Sequence, residues 1–157
     1  YQYPGPALVR YPRDNTAKPE AINTSVAAAI GKGMLVREGS DTALLVFGTL
    51  LDIALEVAEE LDLTVANMRF IKPLDQTLIE QLASTHKNLV TIEDSSILGG
   101  AGTAVLEFLN QQQMTNRCLR LGLSDDFPSQ GSREQVLQEF GLDKAGIRES
   151  IIQFIGD

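Results

Sequence analysis

The stretch from Thr42 to Met68 reads TALLVFGTLLDIALEVAEELDLTVANM and decides the fold. It opens with a continuous apolar run that ends at Gly48, which is typical of a strand covered on both faces. A helical period follows, and its apolar stripe consists of Ile53, Ala54, Val57, Ala58 and Leu61. A second apolar run from Leu63 to Met68 predicts another strand. This order predicts a βαβ unit, in which a crossover helix joins two parallel strands.

The same alternation continues along the chain. Asp75, after Pro73, is predicted to cap a helix whose buried side carries Leu74, Leu78, Ile79 and Leu82. Strands are predicted over Asn88–Ile92 and Cys118–Leu121, and a helix that starts at the Gly99–Gly102 turn lies between them. The predicted fold class is therefore α/β, with a mostly parallel β-sheet sandwiched between helices.

Two helical segments close the chain. Ser132 and Gln135 form an S-x-x-Q pattern, which predicts a capping box at the start of the first one. Asp143 is predicted to cap the final helix. The side chains that this helix is expected to bury are Ile147, Ile151, Ile152 and Ile155.

Length and composition limit the function classes. With 157 residues, 43% of them hydrophobic, we expect one domain with an appendage. The formal net charge of -8 argues against a nucleic-acid partner. No apolar run reaches the ~18 residues of a membrane span, and no signal peptide is visible, so we expect no membrane partner. The single cysteine, Cys118, is predicted to be buried in a strand, and a reducing cytoplasm fits best.

The first residues indicate a fragment of a longer protein. The chain starts at Tyr1 without an initiator methionine, and Ala7–Tyr11 has the pattern of a short strand entering from an upstream region. The stretch from Arg13 to Ala29 has no sustained apolar period and is predicted to be a long surface connector. The folded domain is expected to begin near Ile30.

Three polar features are candidates for chemistry. His86, the only histidine, is more typical of a helix end that meets the helix dipole than of a general base or metal ligand. Glu93 and Asp94 directly follow a predicted strand, where ligands and partners gather in parallel sheets, although helix caps or solvated loop residues are the commoner reading. Gly99–Gly102 could cradle an anion with its backbone amides, but a tight turn between strand and helix needs glycine equally.

Two arginines flank Tyr11–Pro12. The planar guanidinium of Arg10 or Arg13 suits bidentate contact with a phosphate. From spacing alone, salt bridging is the safer interpretation for both.

Six segments, taken together, resemble the 1-deoxy-D-xylulose-5-phosphate synthases of the transketolase superfamily. The segments are Gly5-Pro-Ala-Leu-Val-Arg-Tyr-Pro-Arg13, Ile30-Gly-Lys-Gly33, Asn67-Met-Arg-Phe-Ile-Lys-Pro-Leu-Asp75, Gly99-Gly-Ala-Gly102, Gly122-Leu-Ser-Asp-Asp126 and Gln130-Gly-Ser132. Each segment singly also resembles transketolases and the β subunits of 2-oxo-acid dehydrogenases, which remain alternatives. A stand-alone nucleotide- or anion-binding α/β module is an alternative from another class.

The resemblance implies a division into two parts. Residues 1–29 would be the last strand of the middle, pyrimidine-binding domain plus a linker, and residues 30–157 the transketolase-type C-terminal domain, which supports a homodimer. The full-length enzyme would use thiamine diphosphate and Mg2+ to condense pyruvate with glyceraldehyde 3-phosphate, with loss of CO2, for isoprenoid and thiamine precursor synthesis. The family's G-D-G…N motif and its cofactor-activating glutamate are not found in this chain. The fragment alone is therefore expected to bind neither cofactor nor metal and to be inactive.

One residue of the chain is implicated in substrate binding by the resemblance. The second arginine of the Y-P-R motif matches the family's substrate-phosphate ligand, and this residue is Arg13. Asp14 stands where the family usually has glycine, and a carboxylate there could weaken the field of the arginine. No catalytic, cofactor-binding or metal-binding residue is predicted.

Overall fold

The computed structural model describes residues 4–9 and 28–156. The described elements are β1 Met34–Arg37, β2 Ser40–Phe47, α1 Leu51–Leu61, β3 Leu63–Asn67, α2 Gln76–Thr85, β4 Asn88–Ser96, α3 Ala101–Gln111, β5 Arg117–Leu123, α4 Arg133–Glu139 and α5 Lys144–Gly156. Pro4–Val9 are exposed and have no regular secondary structure. The rest of the strand predicted over Ala7–Tyr11, and most of the predicted connector, lie outside the described residues.

The strands form one sheet in the order β1-β3-β2-β4-β5. The β2–β3, β2–β4 and β4–β5 pairs are parallel, which confirms the predicted α/β class. The edge strand β1 was not predicted, and it pairs antiparallel with β3. Its short run, with Met34 and Leu35 exposed and a bulge between Leu35 and Arg37, lacks the continuous apolar pattern that revealed the central strands.

Two hydrophobic cores cover the two faces of the sheet. Successive residues of β2 alternate between them, since Leu44 and Val46 belong to one core and Leu45 and Phe47 to the other. The first core also takes side chains from α1, α4 and α5, and the second from α2 and α3. The sheet is thus the middle of three layers, as the apolar run at Thr42 predicted.

The final helix buries a narrower stripe than expected. Ile147 and Ile151 are buried, but Ile152 and Ile155 are each 42% exposed. The helix rests on α1 and β5. Ile152 lies ~140° around the helix from Ile147 and so faces away from these elements. The predicted burial of Ile152 and Ile155 was therefore wrong.

Candidate functional site

Four parallel strands end at one edge of the sheet, which we call the carboxyl edge. The last residues of these strands are Asn67 in β3, Phe47 in β2, Ser96 in β4 and Leu123 in β5. In open parallel α/β sheets, ligands and partners gather at this edge. Two of the residues that the sequence indicated, Glu93 and Asp94, lie at this edge in β4.

Glu93 is a buried structural carboxylate and not an exposed loop residue. Its side chain is 2% exposed, because β4 continues through Glu93 and Asp94 to Ser96, beyond the predicted end at Ile92. Oε2 accepts a hydrogen bond from the amide of Ala101 at 2.9 Å, and Oε1 accepts one from Gly102 at 2.9 Å. Glu93 therefore places its carboxylate at the N-terminus of α3, where the helix dipole favours negative charge.

The glycine turn before α3 is shaped by this contact. A Cβ on Gly100 would lie 2.3 Å from Glu93 Oε2 and 2.2 Å from the carbonyl oxygen of Ser96. Ser95 Oγ donates a further hydrogen bond of 2.6 Å to Glu93 Oε2. The amides of Ala101 and Gly102, which could have held an external anion, instead hold the chain's own carboxylate. The geometry supports the tight-turn interpretation of Gly99–Gly102.

Arg120 supports the same turn from β5. Its Nη1 donates to the carbonyl of Ile97 and to Thr103 Oγ1, both at 2.9 Å. Thr103 Oγ1 donates to the same carbonyl at 3.0 Å. This contact was not predicted, because an arginine inside a short apolar run gives no signal of its partner.

At the centre of the carboxyl edge, a chain of contacts links β2, β4 and α4. The hydroxyl of Thr49 donates to the exposed carboxylate of Asp94, and Arg133 Nη2 donates to Thr49 Oγ1 at 2.5 Å. Gly48 has a φ of +86°, and a Cβ there would lie 2.8 Å from Asp94 Oδ1. Glycine is required at position 48 because the backbone is left-handed and lies against the carboxylate. Asp94 is the member of the predicted pair that faces solvent.

Asp75 fastens the start of the domain to α2. Its carboxylate caps α2 through the amide of Leu78 at 3.2 Å, and it also accepts from the amide of Gly33 at 2.9 Å and from Lys32 Nζ at 3.3 Å. Burial by itself raises the pKa of Asp75, but the hydrogen bonds from Gly33, Leu78 and Lys32 outweigh it, and the pKa is lowered. The predicted cap at Asp75 is confirmed, whereas its contacts with Lys32 and Gly33 were not predicted.

His86 has the structural role that the sequence favoured. It is the C-cap residue of α2. Its Nδ1 lies 2.9 Å from the carbonyl oxygen of Leu82, and its Nε2 lies 2.8 Å from Thr64 Oγ1 near the start of β3. These contacts place the ring at the amino ends of the strands, away from the carboxyl edge.

Cys118 lies in β5, as predicted, but it is half-buried and not fully buried as the sequence had indicated. Burial raises the pKa of its thiol to about 11, although the charge of Arg120 opposes the rise. A thiol of this kind is almost wholly protonated at neutral pH, so Cys118 is unsuited to act as a nucleophile.

The predicted substrate ligand Arg13 lies outside the described residues, as do Arg10 and Asp14. Within the described ranges, no group of three or more His, Cys, Asp or Glu side chains could hold a metal ion. The described part of the chain also contains no helix with the length and apolar character needed to cross a membrane. The amides of Ala101 and Gly102 at the start of α3 donate to Glu93, so this helix N-terminus is not free to hold a diphosphate.

The fold and the site define the class of this protein. It is a three-layer, mostly parallel α/β domain in which carboxylates and arginines fix the loops at the carboxyl edge. Residues 31–147 match the family model described as transketolase, C-terminal domain. The chain belongs to this family.

Among curated proteins, the chain is similar to 1-deoxy-D-xylulose-5-phosphate synthases. The chain is 48% identical over 161 residues to the 1-deoxy-D-xylulose-5-phosphate synthase of Vibrio atlanticus (strain LGP32), covering 99% of this chain and 26% of the relative. It is 49% identical over 160 residues to the synthase of Vibrio cholerae serotype O1 (strain M66-2), with the same coverage of 99% and 26%. The chain thus spans about a quarter of the length of these relatives.

Two solved structures share the fold. One is described as a split gene transketolase, inactive beta4 tetramer, with a TM-score of 0.79 and 26% identity over 88% of this chain and 46% of that one. The other is the transketolase from Campylobacter jejuni subsp. jejuni NCTC 11168, with a TM-score of 0.58, 19% identity, and coverage of 78% of this chain and 18% of that one. The second likeness concerns the fold alone.

Proposed function

We propose that this chain is the C-terminal part of a 1-deoxy-D-xylulose-5-phosphate synthase. The complete enzyme would condense pyruvate with glyceraldehyde 3-phosphate, release CO2, and supply isoprenoid and thiamine precursor synthesis in the cytoplasm. The observation that carries the proposal is the 48% identity along 99% of the chain to a curated synthase. The likeness to a solved transketolase chain is weaker, at 26% identity, so the synthase branch is favoured over a transketolase.

The domain itself would act as a scaffold for assembly. Residues 30–157 would form the domain that supports a homodimer, and residues 1–29 would provide the last strand of the middle domain with its linker. The chain alone would be inactive, because thiamine diphosphate and Mg2+ would be held by the rest of the enzyme. The description of the related split-gene transketolase chain as an inactive tetramer supports both self-association and inactivity of such a part.

A stand-alone anion-binding module is not favoured by the geometry. The amides of Ala101 and Gly102 would be needed for that role, and both donate to Glu93.

Calorimetry of the isolated chain tests whether the cofactor site lies in the rest of the enzyme. We expect no saturable binding of thiamine diphosphate in the presence of Mg2+, whereas micromolar binding would overturn the domain assignment.

Arg13 is proposed to contact the phosphate of glyceraldehyde 3-phosphate in the complete enzyme. The support is the match of Tyr11-Pro-Arg13 to the family's Y-P-R motif, together with the fit of a guanidinium fork to a phosphate dianion. Pyruvate has no phosphate group. A role for Arg13 would therefore be confined to the second substrate.

Steady-state kinetics of the complete enzyme, with each substrate varied, tests this role. Arg13→Ala should lower kcat/KM for glyceraldehyde 3-phosphate by a factor that corresponds to ~1.5–3 kcal/mol, the scale of a hydrogen bond to a charged group. Formation of the first pyruvate adduct should change much less, and Arg13→Lys should recover part of the loss. Arg10→Ala is the matched control, because on an extended strand residues three apart face opposite sides. An unchanged kcat/KM for the phosphorylated substrate in Arg13→Ala would exclude the role.

A further inference from the structure

The edge strand β1 lacks the features that usually protect the edge of a sheet. It pairs with β3 on one side and is the end strand of the sheet, so among the described residues its outer side has no strand partner. Met34 and Leu35 are 43% and 37% exposed. The strand's charged residue, Arg37, turns back to β3, where Nη1 donates to the carbonyl of Leu63 at 2.5 Å and Nη2 lies 3.1 Å from Asp62 Oδ1. An apolar edge of this kind is usually covered by another segment.

The loop that follows β3 extends this apolar surface and adds positive charge to it. The guanidinium of Arg69 lies against β1, with Nη2 3.2 Å from Met34 Sδ. Ile71 is 55% exposed, and Lys72 beside it is also exposed. Exposed apolar side chains bordered by charge are typical of surfaces that bind another protein surface.

The polypeptide enters the domain beside the same loop. Gly31 is buried against Pro73, since a Cβ on it would lie 2.7 Å from Pro73 Cγ, and the amide of Gly33 donates to Asp75 at 2.9 Å. Ile30, directly before this fixed segment, is 74% exposed. We call the surface around this point the entry face, and it consists of Ile30, Met34, Leu35, Arg69, Ile71 and Lys72.

The position of the entry face indicates what covers it. In the synthase proposed above, most of the enzyme precedes this domain, because the chain spans about a quarter of the length of its curated relatives. The upstream part would be joined to the domain at the entry face, so its effective concentration there would exceed that of a separate molecule. Phe127 and Ile152 are also exposed, but they lie on the loop after β5 and on α5, away in sequence from the entry point.

The charge of the entry face limits the chemistry of its partner. Arg69 and Lys72 are exposed on it, and Lys32, with a side chain 57% exposed, lies next to it. The chain as a whole has a net charge of -8, so this group of cations runs against the overall charge. An apolar surface with carboxylates at its rim would complement the entry face.

We propose that the entry face packs against the upstream part of the same polypeptide in the complete enzyme. Ile30, Met34, Leu35 and Ile71 are buried in this contact, and Arg69 and Lys72 face carboxylates of the upstream part. The proposal rests on the proposed function, because it needs a longer enzyme of which this chain is the C-terminal part. It specifies which surface joins the domain to the rest of that enzyme.

Thiol labelling of the complete enzyme, with each site resolved by mass spectrometry, tests whether the entry face is covered. Leu35→Cys and Ile152→Cys are matched variants, because these two side chains are 37% and 42% exposed in the domain itself. Labelling of the Leu35→Cys variant should be at least about tenfold slower than labelling of the Ile152→Cys variant, because the contact must open first. The two rates should become equal in urea.

Charge reversal tests the role of the cations. Arg69→Glu with Lys72→Glu, added to the Leu35→Cys variant, should speed its labelling at least about threefold, because like charges then meet across the contact. Lys87→Glu is the control, since Lys87 is exposed before β4, at the amino ends of the strands, and should leave the labelling rate unchanged.

A carbodiimide, which joins a lysine amine to a carboxylate in contact with it, identifies the partner in the unmodified complete enzyme. Lys72 should be cross-linked to an aspartate or glutamate of the upstream part. A dimer prepared from isotope-labelled and unlabelled chains shows whether the two peptides come from one chain. We expect the cross-link within one chain.

Three results would overturn the proposal. They are equal labelling of the Leu35→Cys and Ile152→Cys variants, no cross-link from Lys72 to the upstream part, and cross-links from Lys72 only to a second copy of the chain. Failure of the proposed synthase function is distinguishable, because it would appear as a complete enzyme with a protected entry face that does not convert pyruvate and glyceraldehyde 3-phosphate.

Discussion

Replacing Glu93 by glutamine should destabilise the domain by roughly 2–4 kcal/mol, although the two side chains have almost the same shape. The carboxylate accepts hydrogen bonds from Ala101, Gly102 and Ser95. A glutamine retains one acceptor oxygen and turns an NH2 group toward a second donor. One buried donor left without a partner costs about 1–3 kcal/mol. Loss of negative charge at the α3 N-terminus adds up to ~2 kcal/mol in a buried setting.

Urea denaturation followed by far-UV circular dichroism measures this difference for Glu93→Gln. Glu107→Gln is the matched control, because Glu107 is exposed on the same helix and should change the free energy of unfolding by less than ~0.5 kcal/mol. If Glu93→Gln were as stable as this control, the carboxylate would not be what holds the turn and α3 together.

Three further predictions concern single sites. Asp75→Asn should lower stability at neutral pH by about 1–3 kcal/mol. Because the folded pKa of Asp75 is lowered, its contribution is present above the unfolded value near ~3.9 and should shrink as pH falls through the folded pKa, as a pH series of urea midpoints would show. Cys118 should react with a thiol reagent at pH 8 roughly 100-fold more slowly than in urea, since burial raises its pKa from 9.0 to about 11; equal rates would contradict that burial. Gly48→Ala should lower the thermal midpoint by an amount equivalent to about 1–3 kcal/mol, because φ at this residue is +86°, and an unchanged midpoint would contradict the strained turn.

The central strands and helices could be predicted because the sequence patterns that indicate them are local. The apolar run at Thr42 and the helical stripe after it need no knowledge of distant residues. The caps at Asp75 and Ser132 were predictable for the same reason, and both are present, with Ser132 and Gln135 forming the reciprocal capping box. The family resemblance, carried by several spaced motifs, was confirmed by the family match.

What could not be predicted depends on pairing across the sheet. Strand β1 exists because Met34 and Leu35 pair with β3, more than thirty residues away, and its own sequence is too short and exposed to indicate this. Likewise, an acid after an apolar run predicts either a loop residue or a cap. Only the fold shows that Glu93 turns inward to α3 while Asp94, the next residue, faces solvent. The predicted role of Arg13 stays a prediction.

Activity of a chimeric enzyme tests the central claim most directly. The C-terminal quarter of the Vibrio cholerae synthase, to which this chain is 49% identical, would be replaced by residues 1–157. The truncated synthase should show no conversion of pyruvate and glyceraldehyde 3-phosphate, and the chimera should recover it with release of CO2. A chimera that is folded and dimeric by sedimentation, yet no more active than the truncated enzyme, would contradict the account.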